Sequence, residues 1–232
     1  MVKRNIFPKV LNDIRLYYIE YFDYFMNQKN SLGLNSCFMD LDDPLELFKI
    51  WMSEAEKREI NDPNALSLAT SSDNNEPNVR MILLKGFSKK GFIFYTNLNS
   101  PKSKDFKKNP NAAMCFHWKS LRRQVRISGN ITKVSDEEAD IYFNSRPYES
   151  RIGAWASDQS NVMKHRKDLL EKIEKLKKKY KDEKNLPRPK HWSGWLLNPI
   201  SIEFWLGDEF RIHERLRYIK ILDKWKKEIL YP

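Results

Sequence analysis

The chain has 232 residues, 41% hydrophobic and 31% charged, with 42 Lys and Arg against 31 Asp and Glu, a net charge of +11. That length suits one barrel or sandwich domain, and seven Trp, ten Tyr and thirteen Phe supply ample surface to bury, which excludes global disorder. Seven glycines, none spaced G-x-G, exclude a dinucleotide phosphate loop; Gly86 and Gly91 have Walker A spacing, but Phe92 stands where that loop needs its lysine.

In chain order, residues 1–42 are aromatic and Asn-rich without sustained periodicity and read as an arm, ahead of a single domain over 43–232. Asp43-Pro44 opens a helix with an acidic N-cap and Pro at the first position, with Leu45, Phe48, Met52 and Ala55 on one face. Short strand-like runs follow at Ala65 to Thr70, Val79 to Lys85, Phe92 to Thr96, Ala112 to Trp118 and Gln124 to Val134. Such close spacing predicts an antiparallel meander or closed barrel, because parallel pairs need long crossovers. Ser100-Pro101 begins a short basic helix, and Ser135 with Glu138 forms a capping box at the start of a helical insertion around 135–185. Strand patterns return at His191 to Leu197, Ile200 to Leu206, Phe210 to Leu216 and Trp225 to Leu230, giving a mainly β protein with flanking helices.

Cys37 and Cys115 lie 78 positions apart, and no histidine has a metal-ligand partner at useful spacing, so neither a disulfide framework nor a metal site is expected. The amino terminus lacks the apolar run of a secretory signal, and no window approaches eighteen apolar residues, which predicts a cytoplasmic protein without a membrane partner. Residues 164–184 carry ten Lys or Arg against five acids, nearly half the net charge. Within them Leu169, Ile173, Leu176 and Tyr180 recur at helical spacing, so the lysines read as a solvated helix face rather than a nucleic-acid surface.

Three groups of cations stand out. Arg80 and Lys85 bracket an apolar strand and fall on opposite faces, either to hold two anions or with one facing solvent. Lys102 lies in the first turn of the Ser100-Pro101 helix, where the dipole already favours an anion; it reads as half of an anion site or as a surface lysine. Arg211, His213 and Arg215 at period two predict one face of a strand, mutually repulsive unless an anion or carboxylate intervenes. With no G-x-S-x-G and no H-E-x-x-H, cations with aromatics suit a phosphorylated planar ligand better than hydrolysis.

The runs Arg80-Met-Ile-Leu-Leu-Lys85, Phe94-Tyr-Thr-Asn97, Arg123-Gln-Val125, Tyr142-Phe-Asn-Ser-Arg-Pro147, Ser150-Arg-Ile-Gly-Ala-Trp155, Gln159-Ser160, Ile202-Glu-Phe-Trp205 and Arg211-Ile-His-Glu-Arg215 follow one another in register. Together they resemble the pyridoxine (pyridoxamine) 5'-phosphate oxidase family from about Asp43 to Pro232. The resemblance implies an FMN-binding split β-barrel working as a homodimer with flavin at the subunit interface. It implies oxidation of pyridoxamine 5'-phosphate and pyridoxine 5'-phosphate to pyridoxal 5'-phosphate, with O2 reduced to hydrogen peroxide. By the same resemblance, Arg80, Met81, Ile82, Leu83, Leu84, Lys85, Tyr95, Thr96, Lys102, Gln124, Gln159, Ser160, Trp205 and Arg215 contact FMN. Lys85, Tyr142, Arg146 and Ser150 grip the substrate phosphate, while Arg211 and His213 face the pyridine ring and are the catalytic pair. A split-barrel flavin reductase or flavin-binding protein is the alternative; it would lack the Tyr142, Arg146, Ser150 grip. Two departures stand out: Pro101 replaces a usual basic residue before Lys102, and the stretch between the arm segment Arg15 to Tyr18 and Asp43 is about ten residues longer than the family pattern.

Overall fold

The computed structural model describes residues 29–181 and 186–232. The arm segment Arg15 to Tyr18 and the last residues of the helical insertion, 182–185, lie outside them. The strands are β1 (Ala65–Ser71), β2 (Pro77–Leu83), β3 (Gly86–Ser88), β4 (Gly91–Asn97), β5 (Asn111–Trp118), β6 (Arg123–Lys133), β7 (Trp192–Leu206), β8 (Glu214–Ile221) and β9 (Lys224–Leu230). All pairings are antiparallel, in the order β2-β1-β5-β6-β7-β4-β3, with β8 added to β7 and β9 to β8. The two ends of that order, β2 and β3, are consecutive in the chain. The Leu84 N–H donates to Asn64 O and the next N–H, of Lys85, to Ile93 O, so the chain leaves β1 for β4 within two residues and the sheet curls round on itself.

Strand β7 replaces the two strands expected at His191 to Leu197 and Ile200 to Leu206. It runs unbroken through Pro199, which has no N–H for a ladder and is tolerated in a central strand only at an irregularity. The pairing with β6 shifts between Ser128 and Gly129, leaving Ile200 as the extra residue. A Cβ at Gly129 would stand 2.0 Å from Asn198 O, so glycine alone lets the two backbones meet there.

The curled sheet is filled by α1 (Pro44–Arg58), capped by Asp43 Oδ1 on the Leu45 N–H. Leu47, Phe48, Trp51 and Ala55 on its inner face are fully buried, and the Phe48 ring meets Phe87, Phe92, Phe116 and Trp118. Burying each such ring contributes roughly 1.5–3 kcal/mol. Residues 29–42 also pack on this body: Leu34 and Phe38 are core, the Tyr218 hydroxyl donates to Leu41 O, and Lys227 pairs with Asp40 and Asp42.

A short α2 (Pro101–Lys108) follows β4, and α3 (Asp136–Ser145), α4 (Tyr148–Ala156) and α5 (Arg166–Lys179) are inserted between β6 and β7. Ser135 Oγ accepts the Glu138 N–H at 3.1 Å, forming the expected cap. Phe143, Ile152, Leu186 and Trp192 make a second core, against which Ile173, Leu176 and Tyr180 are partly buried while no residue of α5 is fully so. The lysines of α5 face solvent, as the helical spacing predicts.

Gly129→Ala is expected to destabilise the fold by about 1–3 kcal/mol, because the backbone it meets belongs to the longest ladder in the sheet. A thermal or urea midpoint unchanged from the parent would show that the β6–β7 irregularity relaxes freely.

Candidate functional site

Lys102, although in the first turn of a surface helix, is 8% exposed. Its ammonium lies 3.1 Å from Thr96 Oγ1, 3.2 Å from Ser100 Oγ and 3.1 Å from Gln159 Oε1, all of them neutral oxygens. Thr96 Oγ1 in turn donates to Gln159 Oε1 at 2.9 Å. Arg80 reaches across from β2, donating through Nη1 to Thr70 Oγ1 at 2.8 Å and Leu68 O at 3.3 Å. Burial lowers the pKa of both cations, and for Lys102 the charge of Arg80 lowers it further. Two like charges held together in low dielectric, one of them without a carboxylate partner, are costly until an anion joins them. The first turn of α2 adds a favourable dipole and the Lys102 N–H, since Pro101 has none and the N–H groups of Ser103 and Lys104 are bonded to Ser100 O.

Beside this cluster lies an aromatic stack. Tyr95 and Tyr142 are parallel at 3.9 Å, and Tyr95 and Trp192 at 5.2 Å. Gly194, the register partner of Tyr95, permits this, since a Cβ there would stand 2.7 Å from the Tyr95 ring. Burial pushes the Tyr95 phenol up to about 12, keeping it neutral. The Arg146 guanidinium sits 4.7 Å from the Trp192 ring centroid. Its Nη1 is buried with no hydrogen-bond partner among the described residues, and burial lowers its pKa. Arg146, Ser150, Asn97 and Gln159 line a cleft of about 260 Å³. Gln159 therefore bonds Lys102 and lines the cleft with Arg146, so the two cation clusters are neighbours.

The remaining expected residues fall elsewhere. Gln124, Trp205 and Arg215 stand side by side across β6, β7 and β8. Arg215 is fixed by Glu203 Oε1, 2.9 Å from Nε and 2.8 Å from Nη2, and by Tyr231 O at 2.9 Å from Nη1. Trp205 is eleven residues along β7 from Gly194, roughly 35 Å of strand at 3.2–3.4 Å per residue. Of the β2 run, Met81 and Leu83 are exposed, Ile82 packs on the core, Leu84 is buried and Lys85 is exposed. Ser160 is exposed, in the loop after α4 with φ 69°.

The strand expected over Phe210 to Leu216 is corrected. Residues 209–211 form a 3-10 turn with Phe210 and Arg211 at φ 54° and 63°, and β8 begins only at Glu214. Asp208 starts this turn by accepting the Glu209 N–H at 2.7 Å. Arg211, His213 and Arg215 consequently do not share a strand face. Arg211 is exposed on the turn, whereas the His213 ring lies 4.7 Å from that of Trp205 and its Nδ1 accepts the Asp208 N–H at 3.2 Å. The carboxylate that the local charge calls for is Glu203 for Arg215, on the neighbouring strand.

The sequence reading passed over Thr70, Asp105, Trp192 and Glu203. Asp105, three residues after Lys102 on a lysine-rich helix, carried a signal: that spacing puts both on one face. Among the described residues no helix is long and apolar enough to cross a membrane, and no three His, Cys, Asp or Glu side chains are placed to hold a metal.

A curled antiparallel barrel with buried side-chain cations beside stacked aromatics defines a split β-barrel protein. The model of the pyridoxamine 5'-phosphate oxidase family matches residues 52–180, and that of the pyridoxine 5'-phosphate oxidase C-terminal dimerisation region matches 192–232. The chain belongs to the pyridoxamine 5'-phosphate oxidase family. It is 62% identical to a pyridoxine/pyridoxamine 5'-phosphate oxidase of Pelagibacter ubique over 89% of this chain and 100% of the relative. With one of Bartonella henselae the identity is 49%, over 88% and 99%. Among solved structures it is similar to PhzG of Burkholderia lata, in complex with tetrahydrophenazine-1-carboxylic acid, at TM-score 0.80 and 28% identity over 86% of this chain and 97% of that one. A pyridoxamine 5'-phosphate oxidase-related, FMN binding protein of Nostoc punctiforme shares the fold at TM-score 0.66 and 18% identity, over 84% and 100%.

Because the folded state lowers the Lys102 pKa, the unfolded chain holds that proton to higher pH. Stability of the ligand-free protein should therefore rise as pH climbs through the lowered value toward the ordinary 10.5. Lys102→Met is expected to raise the ligand-free melting temperature at pH 7, to flatten that rise, and to abolish stabilisation by added inorganic phosphate. Scanning fluorimetry across pH, with and without phosphate, checks all three; a variant still stabilised by phosphate would remove Lys102 from the anion site.

Proposed function

We propose that this protein oxidises pyridoxamine 5'-phosphate and pyridoxine 5'-phosphate to pyridoxal 5'-phosphate, with FMN as cofactor and O2 as the final acceptor, reduced to hydrogen peroxide. The observation that carries the reading is the pair of neighbouring cationic sites, Lys102 with Arg80 and Arg146 with its unpartnered Nη1, the second beside stacked aromatics and neither cation of the first in direct contact with a carboxylate among the described residues. One site suits the phosphate of FMN and the other that of the substrate. The donor set fits FMN: a buried ammonium with only neutral acceptors, a half-buried guanidinium and a helix amino terminus all favour a dianion.

FMN, when bound, supplies the two-electron acceptor of the reaction. The chain's own work is positional. Arg80, Thr96, Lys102, Gln159 and Ser160 hold the FMN phosphate, and the β2 edge from Met81 to Lys85 lies along the flavin with Tyr95. Tyr142, Arg146, Ser150 and the Lys85 ammonium grip the substrate phosphate. The protein works as a homodimer, and its second copy supplies Gln124, Trp205 and Arg215, which in one chain lie too far along β7 to reach the same ligand. Arg211 and His213 orient the pyridine ring. With the Asp208 N–H on Nδ1, the other ring nitrogen of His213, Nε2, is the one left to hydrogen-bond the substrate.

Anaerobic mixing of the yellow holoenzyme with pyridoxamine 5'-phosphate should bleach the flavin absorbance within seconds, and admission of oxygen should restore it; absence of bleaching would refute the activity. Arg146→Ala should raise the substrate KM by about 10- to 100-fold with flavin content unchanged, the loss expected for one charged phosphate contact. A colourless variant whose KM is normal after reconstitution would reverse the two phosphate sites.

A further inference from the structure

Arg80 does not stand alone at the base of the anion site. Thr70, on β1, is its diagonal neighbour across the β1–β2 ladder, since Arg80 pairs with Leu68. Thr70 is 4% exposed, and its hydroxyl accepts from Arg80 Nη1 at 2.8 Å while donating to Asp105 Oδ2 at 2.6 Å. Asp105 is 9% exposed and lies on the same helix as Lys102. The hydroxyl has one proton, and the carboxylate takes it, so a lone pair is left facing the guanidinium. Among the described residues Nη1 makes both hydrogen bonds of Arg80, leaving Nε and Nη2 available. A carboxylate in direct contact would occupy those donors and neutralise the cation. One hydroxyl further back, it offsets the cost of burying Arg80 beside Lys102 without competing for the ligand.

We propose that Thr70 and Asp105 are positioning residues that aim Arg80 at the FMN phosphate. The proposal rests on the reading of Arg80 and Lys102 as the FMN phosphate site. It matters more in this chain because Pro101 contributes neither charge nor N–H, leaving Arg80 and Lys102 as the cations of the phosphate site.

Titration of the full chain, freed of flavin by dialysis, with FMN and with riboflavin separates this role from a structural one, because riboflavin lacks only the phosphate. Binding is read from flavin fluorescence. Thr70→Val keeps the shape and removes both hydrogen bonds. It should weaken FMN binding about tenfold, the size of one lost hydrogen bond to a charged group, with riboflavin binding unchanged. Thr70→Ser, which restores the hydroxyl, should return FMN binding to the parent value. Asp105→Asn should also give a loss specific to FMN, and it decides the matter by the same criterion should Thr70→Val fail to fold. Equal loss of FMN and riboflavin, or no loss of FMN, overturns the proposal. Arg80→Ala is the reference: an FMN-specific loss there without one in Thr70→Val overturns the positioning role alone, whereas no FMN-specific loss in Arg80→Ala overturns the phosphate-site reading and the proposal with it.

Discussion

The pairing of β7 governs this structure. One edge of the strand is bound by β6 almost throughout, while the other is divided, its first six residues to β4 and its last six to β8. That division needs a strand of fifteen residues, and such a strand must pass Pro199, hence the irregularity opposite Gly129. The consequence for function is spatial. Residues joined to the β4 half, Tyr95, Thr96 and through them Lys102 and Gln159, collect at one end, and Gln124, Trp205 and Arg215 collect at the other. No ligand of FMN's size spans a strand of that length, so a site using both groups requires a second copy. The dimerisation region matched over 192–232 is the same β7–β8–β9 segment that carries the far group.

Because the chain is poor in glycine, the anion sites proposed for it are made from side chains rather than from a cradle of backbone N–H groups. A backbone cradle carries partial charges and is already hydrogen-bonded in place; a lysine or arginine brings a full charge that must be desolvated before the ligand arrives. Lys102, Arg80 and Arg146 all show this, each with burial as the leading cause of a lowered pKa. A cation so placed weighs against the ligand-free fold, and an anion that binds the native state alone adds stability by mass action.

Much of the fold was legible because its local signals agree with its tertiary packing. The Asp43-Pro44 and Ser135-x-x-Glu138 helix starts, the short antiparallel strands and the solvated lysine face of α5 all appear where periodicity and capping chemistry put them. Two readings failed for identifiable reasons. Asn198-Pro199 resembles a strand break, and only a long-range partner, the glycine on β6, makes it part of a strand. Arg211-x-His213-x-Arg215 alternates like a strand, but the side chain of Asp208 and two left-handed residues turn the chain there, a local competition that alternation does not register. At the candidate site, the residues that the family resemblance names could be pointed to in the sequence, whereas Thr70 and Glu203, ordinary strand residues, acquire meaning only from cross-strand geometry that one sequence does not display.

Net charge was the least informative number in the sequence. Nearly half of the +11 resides on 164–184, whose helix α5 has no fully buried residue, and cations in water there are screened and cheap to keep. The cations of the site are few and contribute little to the total, yet each is held where water is scarce and where its nearest partners are neutral or absent. The energetic strain of such a group scales with its desolvation, not with how many like charges the chain carries. The proposal of an anionic ligand for this chain therefore rests on the lysine it buries rather than the many it exposes. Here that lysine is in the first turn of an eight-residue helix, beside an arginine fixed from behind by a threonine and an aspartate.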